Sequence, residues 1–319
     1  MSHTLLADIG GSTSRFAYAN SGGRPERIVA FASDTVGGID AAISRYLGEI
    51  DVRPDAAVLA IAGPIAGDEI RLTNRTADGW RFRLGDLSQR FGLSPVHALN
   101  DFEALAWALP RFSSADIRPL GDAVADDGVK VVLGPGTGLG VAGLVPTGNG
   151  WQVVPSEGGH SAFGPAAADE VPVFSRLMAE CGGRVSAEMV LSGPGLMRLH
   201  HALHAAAPPI SSERIVTQAQ AGDPVARATT DLFVRLLGRF AGDVALMFKA
   251  TGGVYLSGGV AAGLGSLLDP SIFRSAFEAH PPHQRWIASI PSALITCREP
   301  GLVGCAAVAD HLLRESRAA

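Results

Sequence analysis

Short apolar blocks broken by glycine and small polar residues set the rhythm of the first hundred positions. "HTLLADI" (3–9) and "SRFAYAN" (14–20) have strand length and flank a turn, and "RIVAFAS" (27–33) predicts a third strand. "DAAISRYLGEI" (40–50) has helical spacing, and "DAAVLAIAG" (55–63) reads as a buried strand. In "PVHALNDFEALAWALP" (95–110) a strand gives way, across a polar break, to a helix. Phe102, Leu105, Ala106 and Leu109 follow i, i+3, i+4, i+7, and Pro110 ends the run.

The opening pattern then recurs. "VKVVLGPGTGLGVAGLV" (129–145) is again an apolar strand, a small-residue turn and a second apolar strand, followed by a strand around Gln152–Pro155. This echo points to two related halves. From about Ala167 the pattern becomes helical. The longest helix is expected to start with Asp223 as N-cap and Pro224 at its first position, burying Phe233, Leu236, Leu237, Phe240, Val244 and Met247. "GGVYLSGGV" (252–260) and "ALITC" (293–297) are short strands, "GLVGCAAVADHLLRES" (301–316) is a terminal helix, and the final "RESRAA" is expected to fray. The expected division is a small α/β domain of residues 1–110 with 300–319, and a large α/β domain of 111–299.

Composition narrows the classes. A chain of 319 residues suits two domains, and 47% hydrophobic with 18% charged residues suits a packed enzyme. A net charge of −5 offers no footprint for nucleic acid or an anionic membrane, and no stretch has the length of a membrane span. Cys181, Cys297 and Cys305 share no metal or disulfide spacing and read as thiols of a reducing cytosol. The N-terminus lacks the basic region of a signal peptide. Lysine occurs only as Lys130 and Lys249, neither followed by Ser or Thr, so a Walker A loop is absent.

Phosphate would have to be held otherwise. "GPGTGLG" has Leu139 where the dinucleotide fingerprint needs its last glycine, and it leads into a strand rather than a helix. A turn containing Gly136, Thr137 and Gly138 can still present backbone N–H groups to an anion, although a plain hairpin explains it equally well. Asp8, beside Gly10, Gly11, Ser12 and Thr13, is a carboxylate at a strand end of the kind that holds magnesium, often through water. Gly258 and Gly259 permit close approach of a base or ribose. Asp101 opens a helix, where the choice lies between a cap and a base kept ionised by the helix dipole. His200, His201 and His204 have no HExxH pattern or nearby acid and read as a polar helix face rather than a metal site.

Seven segments in order, "DIGGSTSRFA", "AIAGPIAGDEIRLTN", "LNDFEALA", "LGPGTGLGVA", "PSEGGHSAF", "SAEMVLSGPGL" and "GGVYLSGGV", give the chain an almost end-to-end resemblance to the bacterial glucokinase family of ATP-dependent hexose kinases. The resemblance implies a two-domain α/β fold of the actin-like ATPase (ribonuclease H-like) type with an interdomain cleft. It also implies ATP and Mg2+ as cofactors, glucose as substrate, a homodimer, and a cytoplasmic place at the entry to glycolysis. By the same resemblance Asp101 matches the catalytic base, and Asn100, Glu157, His160 and Glu188 match sugar ligands, with Gly158 and Gly159 allowing the tight turn between two of them.

Two departures stand out: Ser12, Thr13 and Ser14 replace the family's Thr-Asn-Ala, and five residues rather than two separate Asn74 from Trp80. The repressor-and-kinase sugar family, a rival, carries a CxCGxxGC zinc segment that is missing here. A kinase for another hexose or amino sugar, and a sugar-binding regulator without turnover, remain the alternative functions.

Overall fold

Both strand–turn–strand repeats become antiparallel hairpins, and each seeds a sheet. The computed structural model describes residues 3–32, 35–63, 65, 67–72, 80–148, 150–206 and 208–318. Its contacts gather Met1–Phe112 with Cys297–Ala319 into one unit and Ser113–Thr296 into another.

In the first unit β1 (His3–Ile9), β2 (Thr13–Asn20) and β3 (Glu26–Ala32) form a meander. Helix α1 (Ile39–Gly48) leads to β4 (Ala56–Ile61), which pairs parallel with β1. A small hairpin, β5 (Glu69–Arg71) with β6 (Arg81–Arg83), and helix α2 (Leu84–Phe91) precede β7 (Val96–Asn100), parallel to β4. The sheet order is β3-β2-β1-β4-β7. Helix α3 (Asp101–Ala108) follows β7 directly. Period-two alternation places Leu5, Ala7 and Ile9 in a core with Ile39, Ile43 and Leu87, and Leu6 on the other face with Ala104, Leu302 and Cys305. Asp8 shares the face of Leu6. That face is covered by α3 and by the C-terminal helix (Pro300–Ala318), which continues through the segment expected to fray. The two helices touch backbone to backbone, since a Cβ on Gly304 would overlap the carbonyl oxygen of Ala104.

The second unit repeats the plan. Strands β8 (Ile117–Pro119), β9 (Lys130–Pro135), β10 (Leu139–Thr147), β11 (Gly150–Ser156), β12 (Gly253–Leu256) and β13 (Ser292–Ile295) lie in the order β11-β10-β9-β12-β13-β8. As in the first sheet, an antiparallel meander is extended by two parallel strands. The hairpin echo in the sequence is the visible part of a repeated sheet.

Helices α4 (Val171–Glu180), α5 (Ala187–Val190), α6 (Gly193–Leu203), α7 (Ser212–Gln220) and α8 (Pro224–Phe248) fill the long connection to β12. After β12 come α9 (Gly259–Leu264), α10 (Pro270–Glu278) and α11 (Gln284–Ala288). Asp223 caps α8 by accepting the N–H of Ala226 at 2.8 Å. Five of the six expected core residues of α8 are buried, but Met247 is 70% exposed. The helix ends one residue later, and Phe248 takes the inward position, packing so close to β10 that a Cβ on Gly143 would lie 2.5 Å from its ring. Among the described residues no helix is long and apolar enough to cross a membrane.

Candidate active site

Within the first unit the carboxyl ends of the parallel strands β1, β4 and β7 bring three expected residues together, the usual location of ligands on such sheets. Asp8 is paired across β1 with Arg15 on β2, and the Arg15 Nε lies 2.7 Å from Glu299 Oε2. Burial pushes the Asp8 carboxyl up to about 6, with Arg15 pulling it down and Glu299 raising it. A Cβ on Gly301 would lie 2.7 Å from Asp8 Oδ2, so with any other residue there the Asp8 carboxyl would have to shift from the first turn of the C-terminal helix. The adjoining turn closes with the Gly10 N–H donating to the Thr13 carbonyl at 3.0 Å. Gly11 and Thr13 are half-buried, the Ser12 side chain is exposed, and Ser14 is fully buried in β2.

Asn100 is the N-cap of α3: its Oδ1 accepts the N–H of Phe102 at 2.9 Å and its Nδ2 donates to the Gly63 carbonyl at 3.1 Å. Glu103 accepts the Asn100 backbone N–H in return, completing a capping box. Cap and site readings are therefore compatible, because the cap holds the helix start on which Asp101 stands. The expected helix-dipole depression of Asp101 is outweighed. Burial and then the neighbouring Asp8 charge push Asp101 from an ordinary 3.8 up to about 6, against the hydrogen bond from the Phe102 N–H. It stays ionised at neutral pH and is a stronger base than a free aspartate.

The second unit collects a separate group. Glu188, near the start of α5, accepts the Leu139 N–H at 2.9 Å through Oε2, and its Oε1 lies 4.0 Å from His160 Nδ1. His160 Nε2 is 3.7 Å from Glu157 Oε2, and the Glu157 side chain is 86% exposed. The glycines before His160 serve a different purpose from the one expected. Neither has a positive φ, so the 3-10 turn Gly158–His160 does not itself demand them. Gly159 is required by approach instead, since a Cβ there would overlap the carbonyl oxygen of Leu139.

Leu139 is also the first residue after the Gly136–Thr137–Gly138 turn, so the acid–imidazole group and the turn are physically joined. Glu188 leaves no room on Gly138, where a Cβ would stand 2.5 Å from its Oε2. The Gly136 N–H donates to the Gly138 carbonyl, and the Gly136 carbonyl accepts from Gly193, both at 2.8 Å. Of the residues at the tip of the turn, Thr137 is exposed and Gly138 half-buried.

Beside this turn opens a cavity of ≈ 670 Å³ walled by α6, α7 and α9. Thr137, Pro194, Glu213, Val216, Gln220 and Gly259 are among its lining residues, which include no lysine or arginine. Gly258 is not in the lining. It has φ 89°, and a Cβ there would lie 2.5 Å from the Pro135 carbonyl, so it serves the joint between β12 and β9. The α7 wall was not anticipated from the sequence. Its signal is slight: Val216 interrupts a polar face of a helix whose other face buries Ile215 and Ala219. The cavity's room makes a test possible, because a Gly263 Cβ meets nothing within 4 Å. Gly263→Leu is expected to fold normally and to narrow the cavity, so that a ligand seated there binds about tenfold more weakly, roughly 1.4 kcal/mol of lost binding, which calorimetry checks.

The three histidines divide: His201 lies on the polar face of α6, 3.7 Å from Glu180 Oε1, and His204 follows the helix end, but His200 does not belong to that face. His200 is buried with Nδ1 2.9 Å from Thr229 Oγ1, and burial lowers its pKa. Among the described residues no group of three or more His, Cys, Asp or Glu could hold a metal. Asn74 and the longer loop before Trp80 lie outside the described residues.

Comparison with known proteins adds to this geometry. A family model described as Glucokinase matches residues 5–312. The glucokinase of Chelativorans sp. (strain BNC1) is 41% identical over 313 residues, 96% of this chain and 90% of that protein. Among solved structures, a glucokinase from an Antarctic psychrotroph superposes with TM-score 0.88 at 32% identity, covering 97% of this chain and 98% of that one. A ROK family glucokinase from Streptomyces griseus, in complex with glucose and AMPPNP, shares the fold at TM-score 0.65 and 24% identity, over 96% and 98% of the two chains. The fold is that of the sugar kinases of the actin-like ATPase class. Within that class, the chain belongs to the glucokinase family.

Proposed function

We propose that this protein transfers the γ-phosphoryl group of ATP to the 6-hydroxyl of glucose. The observation that carries the reading is Asp101, a carboxylate held by a capped helix start and lifted to about 6 by burial and by Asp8. A sugar hydroxyl is a weak nucleophile, and an ionised acid accepting its proton as the new O–P bond forms is what the transfer requires. The bond from Pγ to the ADP oxygen breaks in the same step. Asn100 in the first unit, with a lone pair on Oδ1 still to offer, is a sugar ligand, and so are Glu157, His160 and Glu188 in the second; these side-chain types match the mixed donors and acceptors of a sugar.

The nucleoside occupies the cavity beside the Gly136–Gly138 turn. Walls with a carboxylate and no cation suit a neutral base and ribose and repel a chain of phosphates, which favours ATP over polyphosphate. In the second unit the N–H groups of Thr137 and Gly138 serve as phosphate donors, and in the first unit the turn of Gly10, Gly11, Ser12 and Thr13 has the same role. Asp8, a half-buried carboxylate at the end of β1, would hold magnesium through one ionised oxygen, directly or through water. When bound, the ion neutralises the charge that grows on the bridging phosphate oxygens. The protein acts in the cytoplasm as a homodimer, which sedimentation of the purified chain tests.

ADP release from Mg-ATP should be measured with glucose, mannose, fructose and N-acetylglucosamine. Turnover with glucose is the expected result. A chain that melts at a higher temperature with glucose but releases no ADP with any sugar is a binding protein, and the kinase reading fails.

A further inference from the structure

His160 and Glu188 are far apart in sequence, and a small splice sets their spacing. The Ser161 carbonyl accepts the N–H of Ala187, and the Val185 carbonyl accepts the N–H of Phe163, both at 3.0 Å, around an antiparallel bridge between Ala162 and Ser186. These bonds tie the chain just after His160 to the chain just before Glu188. Two hydrogen bonds alone make a weak ladder. What braces them lies behind, at Phe163.

The Phe163 ring stands 6.0 Å from Phe174 and 5.9 Å from Phe240, and the Arg239 guanidinium lies over it at 4.5 Å. Arg239 also donates to Glu170 Oε2 and to the Gly164 carbonyl, each at 2.6 Å. Glu170, only 3% exposed, accepts the Ala166 N–H at 2.9 Å with the same oxygen. One guanidinium thus holds a ring face, a carbonyl and a carboxylate along the segment 163–170. A planar fork with five donors does this and an ammonium does not. Stability is a poor reason to retain such a pair, since buried ion pairs replaced by packed apolar groups are often equally stable or more so.

We infer that Arg239, seated on Phe163 and paired with Glu170, is a positioning residue for the sugar site: it braces the splice that sets His160 against Glu188. The inference rests on the proposed sugar-binding role of that pair. Arg239 touches none of the reacting groups, so its removal should loosen sugar binding and leave the nucleotide cavity, walled by α6, α7 and α9, as it was.

The test is steady-state kinetics and glucose calorimetry on the whole chain, for Arg239→Met and Phe163→Leu. Each is expected to raise the KM and Kd for glucose about tenfold, with kcat and the KM for ATP within about twofold, because a small misplacement of orienting groups is enough for such a loss. The double variant should cost little more than either single one, since both remove the same brace. Arg227→Ala, which breaks an exposed pair with Asp231 on the same helix, should leave glucose affinity unchanged. If Arg239→Met does not fold, Phe163→Leu decides, because it keeps the ion pair. A lower melting temperature with unaltered glucose Kd, or parallel losses for both substrates, overturns the inference. Wild-type protein that neither binds nor phosphorylates glucose removes the proposed function and this inference together. Wild-type binding with unchanged affinity in both variants removes this inference alone.

Discussion

Asp101→Asn should lose about three orders of magnitude in kcat, the scale of general base catalysis, and should melt at a higher temperature than the wild type at neutral pH. The two effects have one cause. In the folded chain the Asp101 carboxyl is raised from 3.8 to about 6, so the fold disfavours its ionised form. The folded state therefore holds the proton more tightly than the unfolded one between those pH values. The resulting penalty is absent below about pH 4, grows through the window to about 6, and is complete above it. A shift of about two units is at most ~3 kcal/mol, and partial exposure and sharing with Asp8 bring it to the order of 1–2 kcal/mol. Asparagine keeps the shape and an oxygen for the Phe102 N–H, and it removes the charge.

Asp8 is raised in the same direction, so both acids penalise the fold at neutral pH, and acidification from 7 to 5 relieves both. Activity runs the opposite way. kcat/KM in the wild type should fall below about pH 6 as the coupled acids take up a proton, an inflection that belongs to the pair rather than to one residue. Melting curves and kinetics at pH 5 to 8 check both halves. An Asn variant that kept a tenth of wild-type turnover would deny Asp101 its role.

Gly159→Ala should reduce kcat/KM for glucose by about a hundredfold or more and destabilise the chain by about 1–3 kcal/mol, the ordinary range for overpacking. The added Cβ overlaps the Leu139 carbonyl oxygen and lies 3.1 Å from its carbon, so backbone must move on one side or the other. Neither movement is harmless. Leu139 donates its N–H to Glu188 and begins β10, and Gly159 carries His160. Gly158→Ala offers the contrast: its Cβ meets Ser156 Oγ at 3.1 Å and Val141 side-chain carbons at 3.4 Å, atoms that yield more easily than backbone. Its loss should stay under about tenfold. Equal behaviour of the two variants would refute the explanation by backbone approach.

The elements were legible wherever local forces select them. The short apolar runs in "HTLLADI" and "SRFAYAN" make β1 and β2, and the Asp223–Pro224 start of α8 is a cap whose partner lies three residues away. The repeated hairpin was visible for the same reason, although the repeated sheet around it was not, since strand order depends on pairings across long intervals. Met247 shows where periodicity stops being informative: it has the right spacing, but only the packing of Phe248 on β10 decides which residue of the last turn faces inward.

By itself, then, the sequence determined the types of the elements, the absence of a Walker lysine, and the residues able to act as acids, caps and close-approach glycines. Those properties reside in single side chains and their immediate neighbours. Tertiary structure decided the pKa of Asp101, which is set by burial and by an acid on another strand. It decided the purpose of Gly159, which answers to a carbonyl twenty residues back in the chain. It also made the cavity wall from α7, and joined Glu188 to the turn at Leu139. Each of these is a distance between segments remote in sequence, and desolvation, charge and steric exclusion act through such distances.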